Sequence, residues 1–100
     1  MICMVAYDLS DAALERRVVK TLRRYGMRYQ YSIFVCHISR KERAELTKAL
    51  AQLYTIYKRD KAGEDTVFRI SILPLCETCT TMREEIGDAL GWPVGSMVIP

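Results

Sequence analysis

The chain has 100 residues, 50% hydrophobic and 27% charged, with only five glycines and three prolines, which is the composition of one compact domain. It carries too much Val, Ile, Leu and Tyr to stay disordered, and its longest clean apolar run, Met1 to Tyr7, falls far short of the roughly 18 to 20 residues of a membrane-spanning helix. The net charge of +3 is unevenly spread, with +5 over residues 15–30 and +4 over 40–61 against −2 over 1–11 and −4 over 64–88, a pattern that suits either a surface facing a polyanion or a pair of solvated helix faces.

In chain order, Ile2–Tyr7 is a continuous apolar run closed by Asp8 and predicts a central strand buried on both faces. No basic segment precedes it, so no secretory leader is expected. Ser10 and Asp11 are good helix-capping residues, and Leu14, Val18, Leu22 and Tyr25 then recur at helical spacing up to a stop at Gly26. Tyr29–Ile38 is aromatic and β-branched and predicts one strand, bent near Ser32. Ser39-Arg40-Lys41-Glu42 is a capping box opening a second helix with Leu46, Leu50, Leu53 and Tyr57 as its apolar stripe. After a turn at residues 61–65, Thr66–Leu73 alternates, with Phe68, Ile70 and Ile72 on one side and Val67, Arg69 and Ser71 on the other, until Pro74 ends the strand. Thr80–Leu90 predicts a short acidic helix, and Ser96–Ile99 a last strand. Two helices layered on one face of a small antiparallel sheet make a single α+β domain over 1–100, a sandwich of ferredoxin-like type. A chain of this length is marginal alone and gains from oligomerisation.

Few residues can carry chemistry. His37 is the single histidine, so no triad or zinc trio fits within one chain. Asp8 closes the first strand, a place where sheet proteins put ligands. A hard cation such as Mg²⁺ needs only one or two carboxylates, water and phosphate oxygens supplying the rest. Asp8 and Asp11 both also suit a helix cap. Cys3 and Cys36 lie in apolar runs and read as buried hydrophobes; Cys76 and Cys79 have ligand spacing but make half a zinc site, or a reduced pair bracing a turn. With no secretory leader expected, the four cysteines point to a reducing compartment. Tyr25, Tyr29 and Tyr31 interleave with Arg23, Arg24, Arg28 and Gln30; this combination suits phosphate neutralisation with base stacking, or an ordinary half-buried strand.

Tyr7-Asp8-Leu9-Ser10, then Arg16-Arg17-Val18-Val19-Lys20-Thr21-Leu22, then the run from Tyr25-Gly26 through Ser32-Ile33-Phe34, taken in that order, resemble the CRISPR-associated protein 2 family. The strand before Pro74-Leu75-Cys76 and the following CxxC are similar to a common variant of it, so the likeness runs from Met1 to Cys79. The resemblance implies a homodimer of ferredoxin-like subunits, with Ser96–Ile99 added to the partner's sheet and residues of about 92–100 in the interface. It implies cytoplasmic residence, no membrane, and assembly with the CRISPR-associated integrase on duplex DNA during spacer acquisition. It also implies a metal-dependent endonuclease acting on RNA or DNA, with Mg²⁺ or another divalent cation held between the two Asp8 residues of the dimer. Arg16, Arg17, Lys20, Arg23, Arg24 and Arg28 would contact nucleic acid, and Tyr7, Ser32 and Phe34 would lie near the cleft, the last two matching a Ser-x-Phe element. Two departures stand out: Val35 follows that Phe where the family often has Glu, and the 80–95 segment is longer and more helical than expected. Three functions stay open: a spacer-acquisition nuclease, a purely structural nucleic-acid scaffold, and a toxin-type RNA endonuclease of the same fold.

Overall fold

The computed structural model describes residues 1–61 and 64–88. Its elements are β1 (Ile2–Leu9), α1 (Ala12–Leu22), β2 (Gly26–Gln30), β3 (Ile33–His37), α2 (Arg40–Lys61), β4 (Phe68–Leu75) and α3 (Glu77–Thr81). The four strands form one antiparallel sheet in the order β2-β3-β1-β4, the ferredoxin-like arrangement expected from the sequence. Among the described residues no helix is long and apolar enough to cross a membrane.

The central place of β1 explains its apolar run. It pairs with β3 from Ile2↔His37 to Ala6↔Ile33 and with β4 from Ile2↔Leu75 to Leu9↔Phe68. Cys3, Val5 and Tyr7 face the helices, where they meet Val18, Val19 and Leu22 of α1, Leu46, Leu50 and Leu53 of α2, and the fully buried Phe34 and Cys36 of β3. Each fully buried Leu, Val or Phe contributes roughly 1.5 to 3 kcal/mol of burial free energy, so this helix-side core carries the fold. The opposite sheet face holds only a small cluster, Ile2 and Val35 with Met4, Tyr29 and Leu75 against them.

Local signals act as their chemistry dictates. The Ser39 hydroxyl accepts the Glu42 N–H at 3.1 Å, and the Glu42 carboxylate accepts the Ser39 N–H at 3.0 Å, closing the capping box at the head of α2. The far end of α2 is tied to β4 by rings, with Phe68 5.3 Å from Tyr54 and 5.2 Å from Tyr57.

Four expectations are corrected. The stretch Tyr29–Ile38 is not one bent strand but the end of β2, a turn at Tyr31 and Ser32, and β3. Gly26 does not end α1 in a left-handed cap: α1 closes at Arg23, whose N–H donates to the Val19 carbonyl at 3.0 Å, and Gly26 opens β2 without positive φ. Pro74 does not end β4, which continues to Leu75; β4 is an edge strand, where a residue without an N–H is tolerated. The helix expected over Thr80–Leu90 lies earlier, at Glu77–Thr81, and residues 83–86 are not helical. The terminal strand Ser96–Ile99 and the interface segment 92–100 lie outside the described residues.

Candidate functional site

Asp8 is the penultimate residue of β1 and is exposed. Alternation along the strand sends Tyr7 into the helix-side core and Asp8 to the opposite face, the one bearing Ile2 and Met4. Opposite it in the β4 register stands Arg69, also exposed, which places a basic residue next to the Asp8 position on this strand edge.

Capping of α1 belongs to Asp11, not to Asp8. The Asp11 Oδ1 accepts the Leu14 N–H at 2.9 Å, and its Oδ2 lies 3.4 Å from Lys61 Nζ. The Leu14 N–H first, and Lys61 after it, hold the Asp11 carboxyl below its ordinary value. A carboxyl whose pKa falls on folding stabilises the protein above the unfolded value of about 3.9, and that contribution is lost as pH falls through the folded value. Asp11→Ala is therefore expected to lower the urea midpoint at pH 7 and to differ less from the parent near pH ~3, while Asp11→Asn, which still caps, falls between them at neutral pH. A gap of equal size at both pH values would show that the charge of Asp11 is irrelevant to the cap.

Tyr7 and Phe34 are core residues, 6% and 0% exposed, with ring centroids 6.3 Å apart. They underlie the surface instead of lining it. The Tyr7 hydroxyl donates to the Tyr31 carbonyl at 3.3 Å, and burial pushes its pKa up against the opposing pull of Arg28. Ser32, half-buried, accepts the Tyr7 N–H through its backbone carbonyl at 3.0 Å. Tyr7 and Phe34 thus lie on the other side of the sheet from Asp8, and the two do not share a face with it.

The six basic candidates separate into groups. Arg16, Lys20 and Arg23 follow one stripe of α1 and, with Arg28 from β2 and the acidic Glu15, line an open groove of about 590 Å³. Phe34 supports that groove from below, since the Arg28 guanidinium sits 5.5 Å from its ring centroid, a cation–π distance. Arg17 instead lines the groove between α1 and α2, near Asp60 and Lys61, and Arg24 lies in the turn after α1. A second basic hollow, formed by Arg40, Arg43 and Lys48 of α2, opens beside Met1; the charge excess over 40–61 signals it. Arg69, opposite Asp8 in the register, is the neighbour that sequence reasoning misses, because only strand pairing brings the two positions together.

Among the described residues no group of three or more His, Cys, Asp or Glu side chains could hold a metal ion. On the sheet face away from the helices the Asp8 carboxylate is an exposed hard donor. This fits a largely hydrated Mg²⁺ that borrows oxygens from water, phosphate or a second copy of the chain, and does not fit an all-protein cage.

Comparison with known proteins agrees with this fold. The family model for CRISPR associated protein Cas2 matches residues 1–83. A CRISPR-associated endoribonuclease Cas2 of Synechocystis is 37% identical over 97 residues, covering 96% of both chains. Another, from Rhodospirillum rubrum, is 32% identical over 91 residues, which make up 91% of this chain and 66% of that longer protein. Of solved structures, Streptococcus pyogenes Cas2 superposes with a TM-score of 0.63 at 23% identity, over 87% of this chain and all of that one. A hypothetical protein of Thermus thermophilus gives 0.66 at 23% identity, over 88% and 92% of the two chains. These two share the fold. On the strength of the family match and its relatives, the chain belongs to the Cas2 family of CRISPR-associated proteins.

Proposed function

We propose that this chain acts in the cytoplasm as a homodimer that binds nucleic acid and cleaves phosphodiester bonds with a divalent cation, RNA being the preferred substrate class. The observation that carries this reading is the exposed Asp8 carboxylate on the open sheet face, the position of a hard-cation ligand in a fold that otherwise presents basic grooves. The curated relatives named endoribonuclease support RNA. A bound divalent cation supplies charge for the scissile phosphate and an acidified water. Asp8 would hold the cation, together with the Asp8 of a second copy in the dimer. Arg69, opposite Asp8, attracts the phosphate, and the Arg16–Lys20–Arg23–Arg28 groove neutralises neighbouring phosphates. The same dimer engages duplex DNA together with the CRISPR-associated integrase.

The test is a cleavage assay on RNA and on duplex DNA with Mg²⁺ and with chelator. Mg²⁺-dependent cleavage that chelator removes is expected; cleavage indifferent to chelator overturns the metal role. Light scattering is expected to give a dimer at micromolar concentration.

A second reading, a scaffold without catalysis, is favoured by the two basic grooves, which can bind phosphates without any metal. Binding separates from cleavage by salt. Affinity for duplex is expected to fall steeply with salt, and each phosphate contact removed flattens the log–log slope by about 0.9. Charge reversal of Arg16 and Lys20 should flatten the slope by about two such steps, whereas reversal of Arg24, outside the groove, should change it less. Equal effects at both places would show that the groove is not the binding surface.

A further inference from the structure

The four cysteines fall into two pairs of opposite character. Cys3 and Cys36 stand directly opposite one another on β1 and β3 and are completely buried. Burial pushes the Cys36 thiol up to about 11, which leaves it little thiolate character, and Cys3 is shut away from any reagent by the same core. Cys76 and Cys79 are both exposed and belong to no part of the nucleic-acid surface described above.

The local backbone brings this second pair together. β4 ends at Leu75, Cys76 keeps an extended conformation (φ −72°, ψ 155°), and the chain then turns into α3. This swings the Cys76 Sγ back over the turn, where it accepts the Cys79 N–H at 3.2 Å. The turn is braced from within. Thr80 is 4% exposed, its hydroxyl donates to the Glu77 carbonyl at 2.7 Å, and Arg83 Nη1 donates to the Thr80 carbonyl at 2.8 Å. The two sulfurs are therefore held on one side of a built turn and not left on a loose loop.

We propose that Cys76 and Cys79 form a reversible dithiol–disulfide couple that exchanges with low-molecular-weight disulfides, with Cys76 as the attacking and Cys79 as the resolving thiol. The division of roles follows from the hydrogen bonds. The neighbouring Cys79 thiol, together with the Cys79 N–H that donates to the Cys76 sulfur, holds the Cys76 thiol below its ordinary value, while Cys76 holds Cys79 above it. In the first step the Cys76 thiolate attacks one sulfur of the small disulfide; that S–S bond breaks and the departing thiolate carries off its electron pair. In the second, Cys79 gives up its proton to water and attacks the Cys76 sulfur, releasing the other half as a thiolate. Both departing thiolates end as thiols at neutral pH. The chain loses two electrons and two protons, and the small disulfide is reduced by the same number. A tetrahedral zinc site is the other use of such spacing, but among the described residues no third ligand joins the pair.

The test uses the full chain and oxidised glutathione in excess at neutral pH, with alkylation of the remaining thiols and intact-mass and peptide analysis. The parent protein is expected to become two hydrogen atoms lighter, with Cys76 joined to Cys79 and with Cys3 and Cys36 unmodified. Cys79→Ser is expected to retain glutathione on Cys76, and Cys76→Ser to react more slowly at Cys79, because the Cys76 sulfur keeps the N–H of residue 79 as a donor that stabilises its thiolate. The parent result stands even if a variant does not fold. A parent that keeps both thiols free, or that accumulates the mixed disulfide without closing, overturns the proposal. So do equal rates in the two variants, or purified protein that carries tightly held zinc on this pair.

Discussion

Asp8→Asn is expected to abolish divalent-dependent cleavage, with a loss of at least about a thousandfold. A cation contributes several kcal/mol of charge stabilisation in the transition state, and each ~1.4 kcal/mol is a factor of ten in rate. The substitution is clean because Asp8 is exposed and does not cap α1, a task held by Asp11. Asn has the same shape, so the folded subunit should change by no more than about 0.5 kcal/mol. In the metal-free dimer the change should be neutral or slightly stabilising, since two facing carboxylates repel. Duplex binding should stay near the parent value, because the groove on α1 and β2 is untouched. The measurements are cleavage rate, urea midpoint and duplex affinity on one preparation. Undiminished cleavage with Mg²⁺ removes Asp8 from the mechanism; lost duplex binding along with lost cleavage places Asp8 in the binding surface instead.

Where side-chain period and burial coincide, the sequence is readable. β1 is apolar on both faces because it is central, α1 buries Leu14, Val18 and Leu22 and α2 buries Leu46, Leu50 and Leu53 as their spacing marks, while Tyr25 falls beyond the end of α1, and β4 alternates because one face is wet. Asp8 is legible for the same reason, as a charge that ends an apolar run. The hairpin of β2 and β3 is not, and the causes are physical. Its turn at Tyr31 and Ser32 carries no Gly, Pro or Asn, the residues that announce tight turns. β2 is an edge strand with a register shift between Arg28 and Gln30, which breaks the period of two. Tyr29 accordingly reads as the start of a strand, although it lies near the end of one and its hydroxyl reaches Glu85 at 3.2 Å. The start of α3 is hidden because its N-cap is Cys76, whose sulfur accepts the Cys79 N–H in place of the usual oxygen. That Arg69 stands opposite Asp8 is a fact of register, and no local pattern encodes it.

The second large effect is expected at Gly26. It sits opposite Cys36 at the start of β2, and a Cβ there would meet the Val35 carbonyl oxygen and come within 2.6 Å of Cys36 Sγ and 2.8 Å of Cys36 Cα. Backbone atoms and a fully buried sulfur cannot swing aside, so β2 must move away from β3 or β3 must shift in the core. Overpacking of this kind costs about 1 to 3 kcal/mol, and more where backbone is involved. Gly26→Ala is therefore expected to cost about 3 kcal/mol or more in urea unfolding, a large share of the stability of a small domain. Gly26 lacks positive φ, whereas Gly87 has φ 105° and open space around its Cβ position; Gly87→Ala carries only the strain of that backbone and should cost about 1 to 2 kcal/mol. Asn at position 26 makes the distinction sharp. In a left-handed helix cap Asn is nearly as good as Gly, but against β3 its larger side chain should do at least as much damage as Ala. The damage also reaches function, because Arg28 rides on β2 and completes the basic groove with Arg16, Lys20 and Arg23. Loss of β2 from the sheet should weaken duplex binding and flatten its salt slope by about one phosphate contact. A stable Gly26→Asn variant with unchanged binding would return Gly26 to the role of a helix stop and leave the close approach of β2 to β3 without consequence.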